Sequence, residues 1–335
     1  MRPTSVERPS LPASAEREQP VSSEPSPGDS RQPSVLILLA SYNGAKWIRQ
    51  QIESILAQEQ VNIQVIVKDD GSSDSTPATI DSLQAGARVK LSHHSRHTGS
   101  AAQNFLALIR ENPADDFEFV ALADQDDTWH PNKLYKAVSS LAHNGCAGYS
   151  SATLAVWPDG RSALQRQSDS ITRGDYLFEG AGQGCTFVLS AAFYRQVRRF
   201  ITDKSNLTQS LHYHDWAIYA LARAWEQCWS FDAEPSMTYR QHDSNDTGAR
   251  NSMRGAGKRL RLIRQGWYRS QLAIISELCA AAAPSNSTVA AWQAILRLPD
   301  GGWRRLRAAR FCLRAGRRRL SDRVLLVTSC LLGWI

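Results

Sequence analysis

The run Val35-Leu36-Ile37-Leu38-Leu39-Ala40 is apolar at every position and stops at Ser41-Tyr42-Asn43. A strand with no polar alternation needs cover on both faces, which is the condition of a parallel strand inside an α/β sheet. The signal then repeats. Ile48, Ile52, Ile55 and Leu56 fall on one helical face, and Ile63 to Val67 is a second strand stopped by Lys68-Asp69-Asp70-Gly71. Thr76-Pro77 reads as N-cap and first helical position. Val89 to Leu91 is a third short strand and Ala101 to Ile109 a helix. Phe119 to Ala123 is a fourth strand running into Asp124-Gln125-Asp126-Asp127, and Pro131 to Leu141 is helical. Alternation of this kind predicts a doubly wound α/β sheet, in which ligands bind beyond the carboxyl ends of the strands. The three polar clusters all occupy those ends, so one shared site is expected.

After Tyr149 the pattern is mixed. Thr186 to Leu189 reads as a strand, Ala191 to Phe200 and His214 to Trp225 as helices, and Met237 to Gln241 as a last strand. Beyond Arg250 only helical patterns remain, interrupted near Pro284 and Gly301. Met1 to Pro33 holds seven of the 14 prolines, seven serines and no aromatic residue. Such a segment buries too little apolar surface to offset its ordering entropy, and disorder is predicted. It lacks the apolar run of a secretory signal. The expected organisation is therefore a tail over 1–33, a catalytic domain over 34–248 and a basic helical region over 249–335. The six cysteines are scattered singly, with no CxxC spacing, and are expected to be reduced thiols.

Net charge is +7, and Trp303 to Arg319 carries eight arginines with no acidic residue. An anionic surface, membrane or nucleic acid, is the partner this implies. Val324 to Ile335 is almost wholly apolar; it is too short to span a bilayer and long enough to lie in the interface. A helical appendage packed on the catalytic domain is the other reading. On the membrane reading, loss of Arg304 to Ile335 would release the protein from anionic vesicles and leave donor chemistry intact.

Two clusters carry chemistry. A carboxylate of Asp69-Asp70-Gly71-Ser72-Ser73-Asp74 can accept from a ribose hydroxyl or a base N–H; a turn capping the next helix is the plainer reading. Asp124, Asp126 and Asp127 place three carboxylates in four residues, which repel unless a positive group sits among them. A hard divalent cation with oxygen ligands answers that, and Mg²⁺ binds through one or two carboxylates plus substrate phosphates.

Taken in order, Ala40-Ser41-Tyr42-Asn43, Asp69-Asp70-Gly71-Ser72-Ser73-Asp74-Ser75-Thr76 and Leu122-Ala123-Asp124-Gln125-Asp126-Asp127-Thr128-Trp129 resemble the motifs of glycosyltransferase family 2. The last has the form of the bacterial rhamnosyltransferase-like subgroup, and the match runs from about Ser34 to Gly248. The resemblance implies the GT-A fold, a Rossmann-like doubly wound mixed sheet, with a helical C-terminal appendage. It implies inverting, metal-dependent transfer from a nucleotide-diphosphate sugar. The donor is dTDP-rhamnose by subgroup, with a UDP-hexose or UDP-N-acetylhexosamine as alternative, and the acceptor a surface polysaccharide or lipid-linked oligosaccharide. Ser41, Tyr42, Asn43 and Asp70 then belong to donor binding, with Tyr42 and Asp70 at the base. Asp124 belongs to the ribose and Asp126 to a Mg²⁺ or Mn²⁺, with Asp127 assisting or capping a helix.

His214-Asp215-Trp216 is similar to the family's acceptor-side helix start, which gives Asp215 the role of general base and His214 that of its neighbour. Gly184-Cys185-Thr186 matches a segment near the acceptor. In Tyr239-Arg240-Gln241-His242, with Asn245 and Gly248, Arg240 suits the diphosphate and His242 a further metal position. Gly99 and Asn104 match for architecture. His93, His94 and His97 come without a carboxylate and read as a polar loop. A cytoplasmic enzyme, peripheral at the inner membrane face, is expected. A nucleotidyltransferase would need a Gly-rich, Lys- or Arg-bearing loop after the first strand, and Ser41 to Ala45 has only Gly44. No nucleic-acid-binding motif appears.

Overall fold

Strand and helix alternate as the apolar runs dictate. The computed structural model of the chain describes residues 31–83, 88–92, 97–166, 170–242 and 263–335. The expected tail up to residue 30, His93, His94, Asn245 and Gly248 lie outside the described residues. Strands β1 (Ser34–Ser41), β2 (Asn62–Asp69), β3 (Val89–Ser92) and β4 (Phe119–Ala123) are mutually parallel in the order β3-β2-β1-β4. Between them come α1 (Ile48–Leu56), α2 (Thr76–Leu83) and α3 (Ala101–Glu111). The apolar run of β1 is buried on both faces, as a central parallel strand requires. Ile48, Ile52 and Ile55 turn the buried stripe of α1 to the same sheet.

The second half of the sheet is antiparallel where it joins the first. After β5 (Thr128–Trp129) and α4 (Lys133–Asn144) come β6 (Gly148–Val156), β7 (Ser162–Gln165), β8 (Val188–Ser190) and β9 (Trp229–Arg240). The sheet continues β4-β8-β6-β9-β5, with β7 paired to β6. The expected mixed sheet is present, with the expected helices at α5 (Ala191–Asp203) and α7 (His214–Ala224), the short α6 (Ser205–Thr208) lying between them. Strand β6 escaped the sequence reading because it is polar: Ser150, Ser151 and Thr153 are buried. Burying hydroxyls is tolerable when they bond, and Ser150 donates to the Ala181 carbonyl (3.0 Å) while Ser151 and Ser236 share a hydrogen bond (2.6 Å). The first part of β9 was masked by Pro235 and by register shifts against Ser151 and Ala152.

Cys146 and Cys228 form a disulfide linking the approach to β6 with the approach to β9. This corrects the reading of all six cysteines as reduced thiols: single spacing in sequence says nothing of strands that the sheet brings side by side. The four others are free and buried.

The C-terminal helices α8 (Trp267–Ala282), α9 (Ser287–Leu296), α10 (Gly302–Ala315) and α11 (Leu320–Leu331) pack into the same core. Cys312, Ala308, Ala309, Leu326 and Cys330 join a cluster with Phe178, Trp292, Trp216 and Leu36. Residues Gln32–Ile335 form one compact unit. Truncation of 303–335 therefore removes core. A single large-to-small core change costs about 2–5 kcal/mol against a total stability of roughly 5–15 kcal/mol, so the shortened chain should lose its cooperative thermal transition. A melt within a few degrees of the full chain, followed by circular dichroism, would contradict this.

Candidate functional site

The floor of the site is a set of hydrogen bonds between neighbouring strand ends. Register places Ser41 beside Asp69, and Leu39 beside Ala123. Ser41 Oγ donates to Asp69 Oδ1 (2.9 Å), and Ser72 donates its backbone N–H and its hydroxyl to the same carboxylate (2.8 and 2.6 Å). Gln125 closes a two-way bridge with the Tyr42 backbone, accepting at 2.8 Å and donating at 2.9 Å. Gly44 admits this bridge because a Cβ there would fall on the Gln125 amide. Asn43 adopts φ 48° and ties its backbone N–H to Ser72 Oγ and its side-chain oxygen to the Ser73 N–H. Thr76 Oγ1 accepts from the Gly44 N–H (2.8 Å), so this residue links two loops as well as opening α2.

Asp70 is buried. Its two oxygens accept from the Thr98 and Gly99 backbone N–H groups (2.7 and 3.1 Å), and His97 Nδ1 lies 3.2 Å from the carboxylate. It builds the wall that carries His97, whose ring lies 5.5 Å from the exposed Tyr42 ring. His97 thus lines this wall beside a carboxylate, against the expectation of a plain polar loop. Asn104, buried in α3, donates to the Ser41 and Lys68 carbonyls (3.4 and 3.1 Å) and pins β1 to β2.

The acidic loop divides. Asp126 and His242 meet, Oδ2 to Nε2, at 2.7 Å, and both are about 15 and 14% exposed. The His242 ring stacks on Trp47 (4.3 Å, 14° between planes), a neighbour that sequence reading passed over. Arg240 Nε donates to the Asp126 carbonyl (3.1 Å) and Nη2 to Gln50 (2.8 Å), which fixes the loop from β9. Asp127 points the other way and is 1% exposed. Burial first, then the charges of Asp126 and Asp124, push its carboxyl well above the usual range. Beneath it lie the Cys185 thiol, pushed up by burial, and Lys133, pushed down by burial to about 8.

Asp124, Asp127 and Cys185 bring ligand atoms within 4.8 Å of one another. Asp127 and Cys185 are enclosed in the core, and a thiol is a poor ligand for a hard cation. The partly exposed Asp126–His242 pair fits a divalent metal better.

Asp215 opens α7 and accepts from the Trp216 N–H (2.7 Å). Gly184 packs on this helix start: a Cβ there would lie 2.7 Å from His214 Nε2 and 3.2 Å from the Asp215 Cβ. His214 stacks on Phe105 (4.0 Å). Cys185 and Thr186 are fully buried, and Trp216 is a core residue, its indole N–H donating to the Tyr176 carbonyl (2.8 Å). Of the expected acceptor-side residues, Asp215 alone is partly exposed, and the neighbouring Gln183 joins it.

The family model for glycosyl transferase family 2 matches residues 36–204. The dTDP-rhamnosyl transferase RfbG of Shigella flexneri is 35% identical over 244 residues, which is 72% of this chain and 84% of that protein. The chain belongs to glycosyl transferase family 2. The succinoglycan biosynthesis protein ExoO of Rhizobium meliloti is 32% identical over 147 residues, 44% of this chain and 41% of its own. The glycosyltransferase also shares its GT-A fold with a solved structure of S. aureus TarS 1-349 in complex with UDP-GlcNAc, at a TM-score of 0.52, 14% identity, and coverage of 90% of this chain and 89% of that one.

His214 gives this glycosyltransferase a testable acid sensitivity. Burial pushes its imidazole down to about 3, so the folded state keeps it neutral. The unfolded chain takes up a proton near pH 6.5. The unfolded state therefore binds more protons between those values, and stability falls as pH drops through them. Between pH 7 and 5.5 the loss is about 1 kcal/mol. His214→Asn should flatten the slope of Tm against pH over this range; equal slopes would refute the assignment.

Proposed function

We propose that this glycosyltransferase moves rhamnose from dTDP-rhamnose, with inversion, to a polysaccharide or lipid-linked oligosaccharide acceptor. The similarity to RfbG over most of both chains supports the donor. The observations that support the chemistry are the pairing of Asp126 with His242 and a partly exposed Asp215 at a helix start, packed against Gly184. In this reading residues 34–248 hold the catalytic groups, and within the basic helical region 249–335 the described residues 263–335 complete the core.

Asp126 and His242 would hold a Mg²⁺ or Mn²⁺, which supplies charge neutralisation for the departing diphosphate. Tyr42 and His97 flank the base, with Ser41, Asn43 and Asp70 shaping that end of the site. Asp124 takes the ribose. Arg240 holds the Asp126 loop and stands beside the diphosphate. Asp215 takes the proton of the acceptor hydroxyl as its oxygen attacks the anomeric carbon. His214 is neutral and packed, so it supports the helix start and is not the base.

The test is a thermal-shift screen of dTDP- and UDP-sugars with Mn²⁺, then transfer kinetics. A ligand at 100 times its Kd adds about 2.7 kcal/mol. Asp126→Ala should lose Mn²⁺-dependent donor binding. Asp215→Asn should bind donor as wild type and lower kcat about 10²- to 10⁴-fold. Wild-type transfer by Asp215→Asn would remove the base assignment, and preference for a UDP-sugar would remove rhamnose.

Work on a lipid-linked acceptor also calls for the membrane face. Among the described residues no helix is long and apolar enough to cross a bilayer. Helix α10 exposes Trp303, Leu306 and Leu313 among the exposed Arg307, Arg310 and Arg314. Helix α11 adds Leu320, Val324, Leu325 and Leu331. Apolar side chains interleaved with arginines fit the interface of an anionic leaflet, which would place the enzyme at the cytoplasmic face. The full chain should sediment with phosphatidylglycerol vesicles and not with phosphatidylcholine vesicles. Trp303→Glu with Leu320→Glu should abolish this while leaving Tm unchanged. Equal sedimentation of the double variant would exclude this face.

A further inference from the structure

The segment 172–186 leads to Gly184, which packs against His214 and Asp215, and it is gripped from the C-terminal helices along its length. Thr172 Oγ1 donates to the Ala315 carbonyl (3.1 Å), and Arg173 reaches Ser287 and Thr288 (2.7 and 2.9 Å). The Phe178 carbonyl accepts from Arg317 Nε (3.2 Å) and from the Tyr268 hydroxyl (2.6 Å).

The tightest grip is that of Arg318, in the turn between α10 and α11, with a side chain 2% exposed. Its Nη2 donates to the Gly180 carbonyl at 2.6 Å. Its Nη1 lies 2.9 Å from Asp175 Oδ2 and 3.3 Å from the Tyr219 hydroxyl. Its backbone N–H donates to Glu179. Tyr219 stands one helical turn after Asp215 on α7, and donates in turn to Asp175 (2.7 Å).

We propose that Arg318 is a positioning residue for the acceptor side of the site: one guanidinium fixes the Gly180 carbonyl and Tyr219 together, and so sets Gly184 against Asp215. This rests on the reading of Asp215 as the base. A planar fork with several donors is suited to bridging two elements in this way, and a lysine ammonium is not.

Neutralising Asp175 alone does not explain the arrangement. Arg223 Nη1 already lies 3.3 Å from Asp175 Oδ1, so that carboxylate has a second cation. What Arg223 does not supply is the arm to Gly180. Only three residues separate the held Gly180 carbonyl from Gly184, and Ala181 among them is held by Ser150. A shift at Gly180 is therefore passed to Gly184 with little chain to absorb it. Gly180 itself lies against the Trp216 backbone, next to Asp215, where a Cβ would come within 3.3 Å of Cα.

The experiment uses the full chain with Arg318→Gln and Arg318→Lys. Three quantities are read: dTDP affinity with Mn²⁺, transfer kcat and acceptor KM, and amide hydrogen exchange over 178–186. Donor affinity should stay within about twofold, because the donor side does not touch this turn. Transfer kcat/KM for acceptor should fall on the order of 100-fold, the cost of misplacing a reacting group by about 1 Å, and the 180–184 amides should exchange faster. Arg318→Lys should fail to rescue transfer. Should Arg318→Gln not fold, Arg318→Lys decides, since it keeps a charge beside Asp175 and lacks the second arm. Normal transfer kinetics in a folded variant would overturn the proposal. So would loss of donor affinity in step with transfer. Asp215→Asn, run alongside, separates the two readings. If it transfers normally, the base assignment fails while the exchange data still judge Arg318.

Discussion

Three parallel strands end at one level, and the side chains at those ends bond to one another. Ser41 to Asp69, Gln125 to the Tyr42 backbone and Asn104 to the Ser41 and Lys68 carbonyls are the contacts that make a site of an edge. Strand ends leave backbone donors and acceptors without ladder partners, and a buried orphan costs about 1–3 kcal/mol. Satisfying them with side chains of the next strand keeps the loops from reaching for water. These loops are thereby pre-formed: Asp69 and Asp70 hold them, while Tyr42, Asp124 and Asp126 keep surface open to solvent.

Charge is sorted by depth in the same way. The loop Asp124 to Asp127 has three carboxylates in sequence, yet only two of them lie toward the surface. Asp127 turns into the core above Lys133, whose ammonium lies 4.6 Å from the Trp129 ring. Burial lowers the proton affinity of the lysine and raises that of the aspartate. His242 is brought in from the end of β9, 116 residues away in sequence, to meet Asp126.

What could be read from the chain follows the range of the interactions. The four parallel strands and the clusters at their ends are local patterns, each an apolar run with a polar stop, and they are where the reading placed them. Strand β6 was illegible because its buried serines bond to Ala181 and Ser236, partners that only the tertiary fold supplies. The Cys146–Cys228 link was illegible for the same reason, since the two cysteines lie 82 residues apart. His97 gave no signal because its partner Asp70 lies on another strand end. Trp216 looked like part of a motif because it follows His214-Asp215, but helical geometry turns a residue one position on by about 100°. It therefore faces the core while Asp215 stays at the surface.

The arginine-rich segment shows how composition misleads when partners are remote. Read alone, Trp303 to Arg319 has eight positive charges and nothing to balance them. Folded, Arg318 is neutralised by Asp175 and Glu179, and Arg317 lies over the Tyr268 ring at 5.4 Å. Both carboxylates are more than a hundred residues upstream. The surplus that faces solvent shrinks to Arg307, Arg310, Arg314 and Arg319, the four exposed arginines of the segment. Arg307, Arg310 and Arg314 share the exposed face of α10 with Trp303, Leu306 and Leu313, whereas Arg317 and Arg318, in the turn that follows, bond inward to the Phe178 and Gly180 carbonyls. One stretch of sequence thus divides into an exposed helix face and an inward-bonded turn. A packed appendage and an outward apolar and basic face are compatible because they concern different side chains of that stretch.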